Sequence, residues 1–177
     1  MKHLRIIALG MLAAATLALS PLAGAQKKNT RMENVGSNFF ARYNYEVETV
    51  GVGTEGTKAL KVWAYGKTVD KAVMMAKKLA VAACIYRGLP ASTYALATPA
   101  LYPEPQEEWE DFFEDFFDDG GQYLNYVNLT SDGDPSGQDR LKMKGGYKVG
   151  VYVQVLYDRL RKDLEAKGVI KSMDSWF

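Results

Sequence analysis

One segment in the last third of the chain alternates strictly between two kinds of side chain. Its odd-numbered positions carry β-branched or aromatic residues, namely Tyr147, Val149, Val151, Val153 and Val155. Between them lie Lys148, Gly150, Tyr152 and Gln154. This period of two predicts a strand that buries one face only. Strands of this kind favour an antiparallel or mixed sheet with helices on one side.

Weaker patterns elsewhere predict the remaining elements. These are strands over residues 41–52, 58–65 and 123–130, and helices over residues 68–87, 107–119 and 158–167. The longest helix has Thr68 or Asp70 as its N-cap and Gly88 just beyond its end. The sequence therefore predicts an α+β fold, a two-layer sandwich with an antiparallel or mixed sheet and helices mainly on one face.

The first 25 residues have the features of an export signal. Lys2 and Arg5 precede an apolar run, and Ala23-Gly24-Ala25 forms a small-x-small cleavage site. An uncleaved anchor is the alternative, but Ser20-Pro21 interrupts the run just before that site. Cleavage is therefore favoured, and no transmembrane span is expected afterwards. We expect a bacterial protein that is periplasmic or secreted, and peripheral to the outer membrane if it associates with it.

The predicted organisation follows from this processing. Residues 1–25 form the signal peptide and residues 26–40 a flexible leader. Residues 41–177 form a single domain with an acidic aromatic insert at about 90–121. The only histidine, His3, lies in the signal, and Cys84 is the only cysteine. The mature chain therefore lacks the residues for a Ser-His-Asp triad, a Cys-His dyad, a histidine metal site or an intrachain disulfide.

The acidic segment from 104 to 119 contains nine of the 21 acidic residues and neither Lys nor Arg. Aromatic side chains recur within it at helical spacing, at Trp109, Phe112, Phe113, Phe116 and Phe117. Because its acids repel one another, this helix needs a surface on which to pack. That surface is either a partner protein or second copy, or an internal stripe of this chain. The internal stripe would be Met74, Val81 and Ile85, with Lys77 and Lys78 facing the acids.

A second interaction surface is predicted on the sheet. Trp63, Tyr65 and Tyr152 fall on the strand face opposite the helices. An open face that bears aromatic rings indicates a binding surface or dimer contact. The alternative is that the leader or the loop at 90–106 folds over these rings.

A glycosidase needs only two carboxylates, which Glu46, Glu48, Glu107 and Asp111 could supply. However, Glu46 and Glu48 should share a sheet face with Lys61 and Lys148, so cross-strand ion pairs explain these two residues equally well. No set of residues converges on a catalytic site, and we expect no enzymatic activity. The basic residues are dispersed, so no nucleic-acid partner is expected.

Two short motifs suggest ligands. Asp132, Asp134, Ser136 and Asp139 occupy four positions of a calcium loop, although Met143 stands where that loop has its bidentate Glu. This predicts weak calcium binding at most, and a polar loop is the alternative. Gly51, Gly53 and Gly56 match the spacing of the dinucleotide fingerprint, but a strand rather than a helix follows them, so a hairpin turn is expected. No other cofactor is indicated.

The order of elements resembles that of a bacterial envelope domain. Val62, Ala64 and Gly66 end a strand, and alanines recur in the next helix at Ala72, Ala76, Ala80 and Ala83. A valine-rich strand then runs into a short helix at 160–164. Over residues 43–87 and 146–167 the chain resembles the small domain of the twenty-kilodalton outer-membrane lipoproteins and the N-terminal domain of flagellar assembly protein T. The resemblance implies a two-layer envelope module with a structural or accessory role. The lipid-bearing cysteine of those lipoproteins is absent here.

These observations lead to one expected function. The protein is a non-catalytic, exported envelope accessory or protein-interaction module, whose partner is an envelope protein or a second copy of itself. The first alternative is a module that binds a sugar or another small apolar ligand. A carboxylate-only glycosidase is the second.

Overall fold

The computed structural model describes residues 46–130 and 134–172. The strands are β1 (Glu46–Val52), β2 (Lys58–Gly66), β3 (Val127–Leu129), β4 (Arg140–Met143) and β5 (Gly146–Val155). They form one open antiparallel sheet in the order β1-β2-β5-β3, and β4 pairs with the part of β5 that β3 leaves free. Within the described residues, three α-helices accompany the sheet: α1 (Val69–Ala82), α2 (Glu110–Phe117) and α3 (Tyr157–Ala166). The predicted α+β class is confirmed.

Residues of the two central strands, β2 and β5, alternate between an inner and an outer face of the sheet. Val62 lies opposite Val151, and Leu60 lies opposite Val153, all four buried. Their neighbours Lys61 and Tyr152 also lie opposite each other, on the outer face. Because directly opposed residues share a face, the alternation in both strands produces one apolar and one mixed surface.

Helix α1 covers the inner face of the sheet. Thr68 is its N-cap, and the Thr68 hydroxyl accepts a hydrogen bond from the Lys71 amide at 3.3 Å. Ala72, Ala76 and Ala80 are fully buried, and their small side chains allow the helix to lie close to β2 and β5. Gly66 also allows α1 to lie close to β2, because a Cβ at that position would collide with the backbone of Ala72.

The predicted helix at 68–87 changes geometry near its end. Regular α-helix stops at Ala82, and Ala83–Arg87 form one wider π turn. The Gly88 amide closes this turn by donating to the Ala83 carbonyl at 2.8 Å, five residues back. Gly88 has a φ of 76°, so the chain leaves the helix in a conformation that favours glycine.

Two predicted elements are shorter than the sequence pattern indicated. The helix expected over 107–119 consists of a 3₁₀ turn, Glu107–Trp109, followed by α2. The strand expected over 123–130 begins instead with a 3₁₀ turn, Gln122–Tyr126, and only β3 is extended. The physical reason is that Tyr123 and Tyr126 both pack their rings on α2, against Phe117 and Phe116, which an extended strand does not allow for residues three apart.

Several segments predicted from the sequence lie near the N-terminus. The signal peptide at 1–25, the leader at 26–40 and the start of the first predicted strand at 41–45 lie outside the described residues. Within residues 46–130 and 134–172, none of the helices combines the length and hydropathy that crossing a bilayer requires.

Candidate functional site

The aromatic residues of the acidic insert are divided between the core and its margin. Phe113, Phe116 and Phe117 are buried completely or almost so, whereas Trp109 and Phe112 are only partly buried at the edge of the same cluster. The Tyr86 ring, from the end of the helix layer, lies 5.5 Å from that of Phe113. Such ring pairs add to the stability that burial alone provides.

The rings of the insert are therefore largely buried within this chain, as the internal alternative requires. Val81 and Ile85 are buried in the same core, and Met74 packs against it. Phe113, Phe116 and Phe117 are not available to a partner in this structure, and their assignment as interaction residues is corrected on that ground. The physical reason is that three large rings are far more stable among the rings of Tyr86, Tyr102, Tyr123 and Tyr126 than in water.

An ion pair fixes the end of the insert. The Lys78 ammonium lies 2.7 Å from a carboxylate oxygen of Asp119 and 5.5 Å from the centre of the Tyr123 ring. The hydrogen bond from Lys78 lowers the pKa of Asp119 below its ordinary value. Burial raises the pKa of the Tyr123 hydroxyl to about 12. The predicted pairing of a helix lysine with the acidic segment is thus present at Lys78.

The open sheet face carries a continuous strip of rings and ammonium groups. Lys61 lies 5.0 Å from the centre of the Tyr152 ring and 5.1 Å from that of Trp63. Lys148 lies 5.4 Å from the centre of Trp63 and 5.2 Å from that of Tyr65. We call these five residues the aromatic–lysine strip. Each contact is within the range of cation–π attraction, so the strip holds its own shape.

A glycine allows the Trp63 indole of this strip to lie close to the sheet. Gly150 lies opposite Trp63 in the register of β2 and β5. A Cβ at Gly150 would lie 3.1 Å from two carbons of the Trp63 indole and from the terminal carbon of Lys61. The indole therefore lies against the backbone of β5, in space that any other residue would fill.

Each lysine of the strip also contacts one carboxylate. The Lys148 ammonium lies 2.5 Å from Glu46, and the Lys61 ammonium lies 2.7 Å from Asp139. Hydrogen bonds to these carboxylates raise the pKa of both lysines. The cross-strand pair predicted for Glu46 and Lys148 is confirmed. Glu48 lies opposite Lys61 in the sheet register, while the short ion pair of Lys61 is with Asp139.

The hydrogen bonds of the loop at 90–106 do not bring it over the aromatic–lysine strip. The Leu101 and Tyr102 amides donate to the carbonyls of Cys84 and Ile85, at 3.0 and 2.6 Å. The Tyr157 hydroxyl donates to the Pro99 carbonyl at 3.2 Å. These bonds attach the loop to the helix layer. Tyr65 and Tyr152 keep 37% and 38% of their surface exposed.

The predicted calcium residues are only partly described. Asp132 lies outside the described residues, Asp134 and Ser136 lie in the loop before β4, and Asp139 is paired with Lys61. Across the described part of the chain, no group of three or more acidic, Cys or His side chains is placed to hold a metal ion. Because Lys61 neutralises Asp139, this loop has one free carboxylate fewer than a calcium site would use.

The remaining motifs have structural roles. Residues Thr54–Gly56 form a 3₁₀ turn between β1 and β2. The hairpin turn expected from the spacing of the glycines is therefore present. Cys84 is fully buried, and burial raises the pKa of its thiol to about 12, which keeps the thiol protonated and unreactive.

Strand periodicity identifies the three rings of the strip but not their contacts with the two lysines. Lys61 and Lys148 were expected only as ion-pair partners of the two glutamates. The signal that could have identified them is the alternation within β2, where Lys61, Trp63 and Tyr65 occupy successive positions of one face. A comparison with protein-family models, curated proteins and solved structures found no match to this chain in any of the three.

Proposed function

We propose that the protein is a non-catalytic accessory module of the bacterial cell envelope that binds a partner protein through the aromatic–lysine strip. The observation that carries this proposal is the strip itself, in which Tyr65, Trp63 and Tyr152 are held in place by Lys61 and Lys148. Tyrosine and tryptophan on a rigid surface supply large contact area at a small loss of conformational entropy.

The distribution of aromatic residues favours this surface over the insert. Phe113, Phe116 and Phe117 are enclosed by the core of the chain, whereas Tyr65 and Tyr152 each keep more than a third of their surface exposed. The contact surface that we propose is therefore narrower than the one expected from sequence. Trp109 and Phe112, which are partly buried, would contribute only at its margin if a partner extended to the insert.

A protein partner suits the strip better than a sugar does. A sugar ring stacks on a free aromatic face, whereas a face of each of these rings already has a lysine ammonium 5.0–5.4 Å from its centre. The ammonium groups and the carboxylates of Glu46 and Asp139 provide charged hydrogen-bonding groups around the rings. Aromatic anchors surrounded by polar groups are typical of protein interfaces.

The location and the accessory role rest on sequence. The predicted signal peptide and the resemblance to envelope domains support the proposal that the mature protein lies in the periplasm or outside the cell, with a structural or accessory role. The ion pairs of Glu46 and Asp139 support a non-catalytic role, because both carboxylates are already bound to lysines. Mass spectrometry of the secreted or periplasmic protein should find Gln26 at its N-terminus.

Site-specific photo-crosslinking in the native envelope tests the surface. A photoreactive phenylalanine analogue would replace Tyr65 or Tyr152 in two separate variants. The matched control carries the same analogue at Lys162, an exposed position on α3. We expect one shared adduct from both sheet positions and none of it from the control.

Two results would contradict the proposal. Absence of any specific adduct from Tyr65 and Tyr152 would remove the strip as the contact surface. An adduct that soluble oligosaccharide abolishes would indicate the sugar-binding alternative. An adduct with twice the mass of the chain would identify the partner as a second copy.

A further inference from the structure

A second exposed feature lies on the opposite layer of the molecule. The sixteen residues from 88 to 103 contain no charged side chain, although Arg87 precedes them and Glu104 follows them. Within this segment, residues 89–98 form a β-hairpin, which we call the hairpin arm. Leu89 pairs with Thr98, and Ser92 pairs with Ala95, which leaves Thr93 and Tyr94 as a two-residue turn.

The root of the hairpin arm is fixed to the body. The Leu89 amide donates to the Thr98 carbonyl at 2.8 Å, and the Thr98 amide donates back at 3.0 Å. The Thr49 hydroxyl donates to the Pro90 carbonyl at 2.7 Å. Leu89 is buried, and a Cβ at Gly88 would lie 2.5 Å from the Thr98 carbonyl oxygen. The arm therefore leaves the body in a fixed direction.

The outer part of the hairpin arm is apolar and exposed. Tyr94 is 81% exposed and Leu96 is 89% exposed, more than any other large apolar residue in the described parts of the chain. Leu96 lies only two residues beyond Thr98, whose partner Leu89 is buried. At about 3.3 Å per residue, Leu96 therefore lies roughly 7 Å and Tyr94 roughly 13 Å along the chain from the root of the arm.

We propose that the hairpin arm inserts its tip into the headgroup region of a lipid bilayer. Leucine enters the acyl boundary favourably, and tyrosine prefers the interface just above it. A tip without charges loses no ionic hydration when it enters this region. Charged side chains on an inserted tip would carry that cost, and residues 88–103 carry none.

Two amides of the tip, those of Ser92 and Tyr94, are hydrogen-bonded internally, which suits the shallow headgroup region rather than the acyl interior. Amide groups that leave water need internal hydrogen bonds. The Ser92 amide donates to the Ala95 carbonyl at 2.8 Å, and the Tyr94 amide donates to the Ser92 hydroxyl at 3.3 Å. Pro90 and Pro99 have no amide hydrogen, and both of their carbonyls accept bonds from the body. Leu89 and Tyr102 are buried in the body, so only the tip itself, residues 91–97, would enter the bilayer. A protein pocket is the other occupant of such a tip, and the vesicle experiment distinguishes the two.

The contact between the hairpin arm and the bilayer does not involve the aromatic–lysine strip. It is expected to be weak and reversible. One leucine and one tyrosine bury less apolar area than a single fatty acyl chain, which itself gives only marginal membrane binding. Because the tip has no charge, attachment should depend little on anionic lipid or on salt. It would orient the protein on a membrane rather than anchor it permanently.

Sedimentation with phosphatidylcholine vesicles, at a lipid concentration high enough to detect binding weaker than that of one acyl chain, tests the proposal. The test variant is Tyr94→Ser with Leu96→Ser in the mature protein. The matched control is Leu141→Ser with Met143→Ser, which removes two exposed apolar side chains of β4 that lie outside the aromatic–lysine strip. We expect wild type and control to bind alike and the arm variant to bind about tenfold less, as loss of a buried leucine predicts. Added salt should not release the protein.

Three results would overturn the lipid assignment. Wild-type protein that does not sediment with vesicles would leave a protein pocket as the occupant of the tip. Equal binding by the arm variant would show that other residues hold the vesicle. Equal loss in the control would show that any exposed apolar pair has this effect. Matched thermal melting curves would establish that all three proteins are folded.

Discussion

Lys78 and Asp119 are 41 positions apart in the chain, and an ion pair of 2.7 Å joins them. The lysine is almost fully buried against Tyr123, whereas the aspartate side chain is 94% exposed. The pair therefore links the C-terminal end of the acidic insert to α1.

This ion pair predicts a pH-dependent difference in stability. The pKa of Asp119 is lowered in the folded protein, so its stabilisation is present above the unfolded pKa of about 3.9 and disappears as pH falls through the lower folded value. Asp119→Asn should reduce the free energy of unfolding at pH 7 by about 0.5–1 kcal/mol, since the aspartate is exposed. Urea unfolding should show the difference shrinking in acid. A difference that stays constant would contradict this account.

The buried rings of the insert predict a larger effect. Phe116→Ala should lower the free energy of unfolding by about 3–5 kcal/mol, because it leaves a cavity in the core. Phe112→Ala is the matched control on the same helix, where the ring is only partly buried, and it should cost about half as much or less. Chemical denaturation of both variants measures this. Equal small effects would indicate that the insert is not packed as the structure places it.

Gly150 predicts a spectroscopic change. Gly150→Val would place side-chain atoms where the Trp63 indole lies, so the ring must move away from β5. The stability should change by about 1 kcal/mol or less, since the displaced groups are on the surface. Tryptophan emission should shift to longer wavelength as the indole gains contact with water. Crosslinking from Tyr152 should fall in this variant, and an unchanged emission spectrum would show that the ring was not held there.

The calcium loop predicts a negative result. Lys61 neutralises Asp139, which removes one of the four residues that the sequence assigned to the site. We expect that millimolar calcium leaves the melting temperature of the wild-type protein unchanged. Lys61→Met tests the reason, because it frees the Asp139 carboxylate. A rise in the melting temperature of the wild type with calcium would restore the predicted site.

Much of the fold was predictable because its signals are local. The alternation at 147–155 determines which side of β5 is buried, and the alternation at 58–65 does the same for β2. Thr68 and Gly88 mark the two ends of the main helical segment through their own backbone preferences. The strand expected at 123–130 was too long because its tyrosines pack on α2 and α3, which a local pattern does not contain: Tyr126 stacks on Phe116 and donates to Asp163.

The candidate site was predictable only in part. Trp63, Tyr65 and Tyr152 were found because strand periodicity assigns a face to every residue. Their contacts with Lys61 and Lys148 depend on the register between β2 and β5, which places Trp63 over Gly150. The hairpin arm was predicted only as an irregular loop, since its pairing of Leu89 with Thr98 follows from an anchorage to the body.

The sequence by itself determined the α+β class, the two faces of the sheet, the helix boundaries set by caps and glycines, and the concentration of acids in the insert. Tertiary structure decided which apolar surfaces are used internally. An aromatic stripe on a helix has the same sequence whether it meets its own core or a partner. The packing of Phe113 against Tyr86 shows that the stripe of the insert meets its own core. The exposure of Tyr94 and Leu96 shows that the apolar side chains of the hairpin arm do not. The physical reason is that burial depends on all the neighbours of a side chain, and most of those neighbours are distant in sequence.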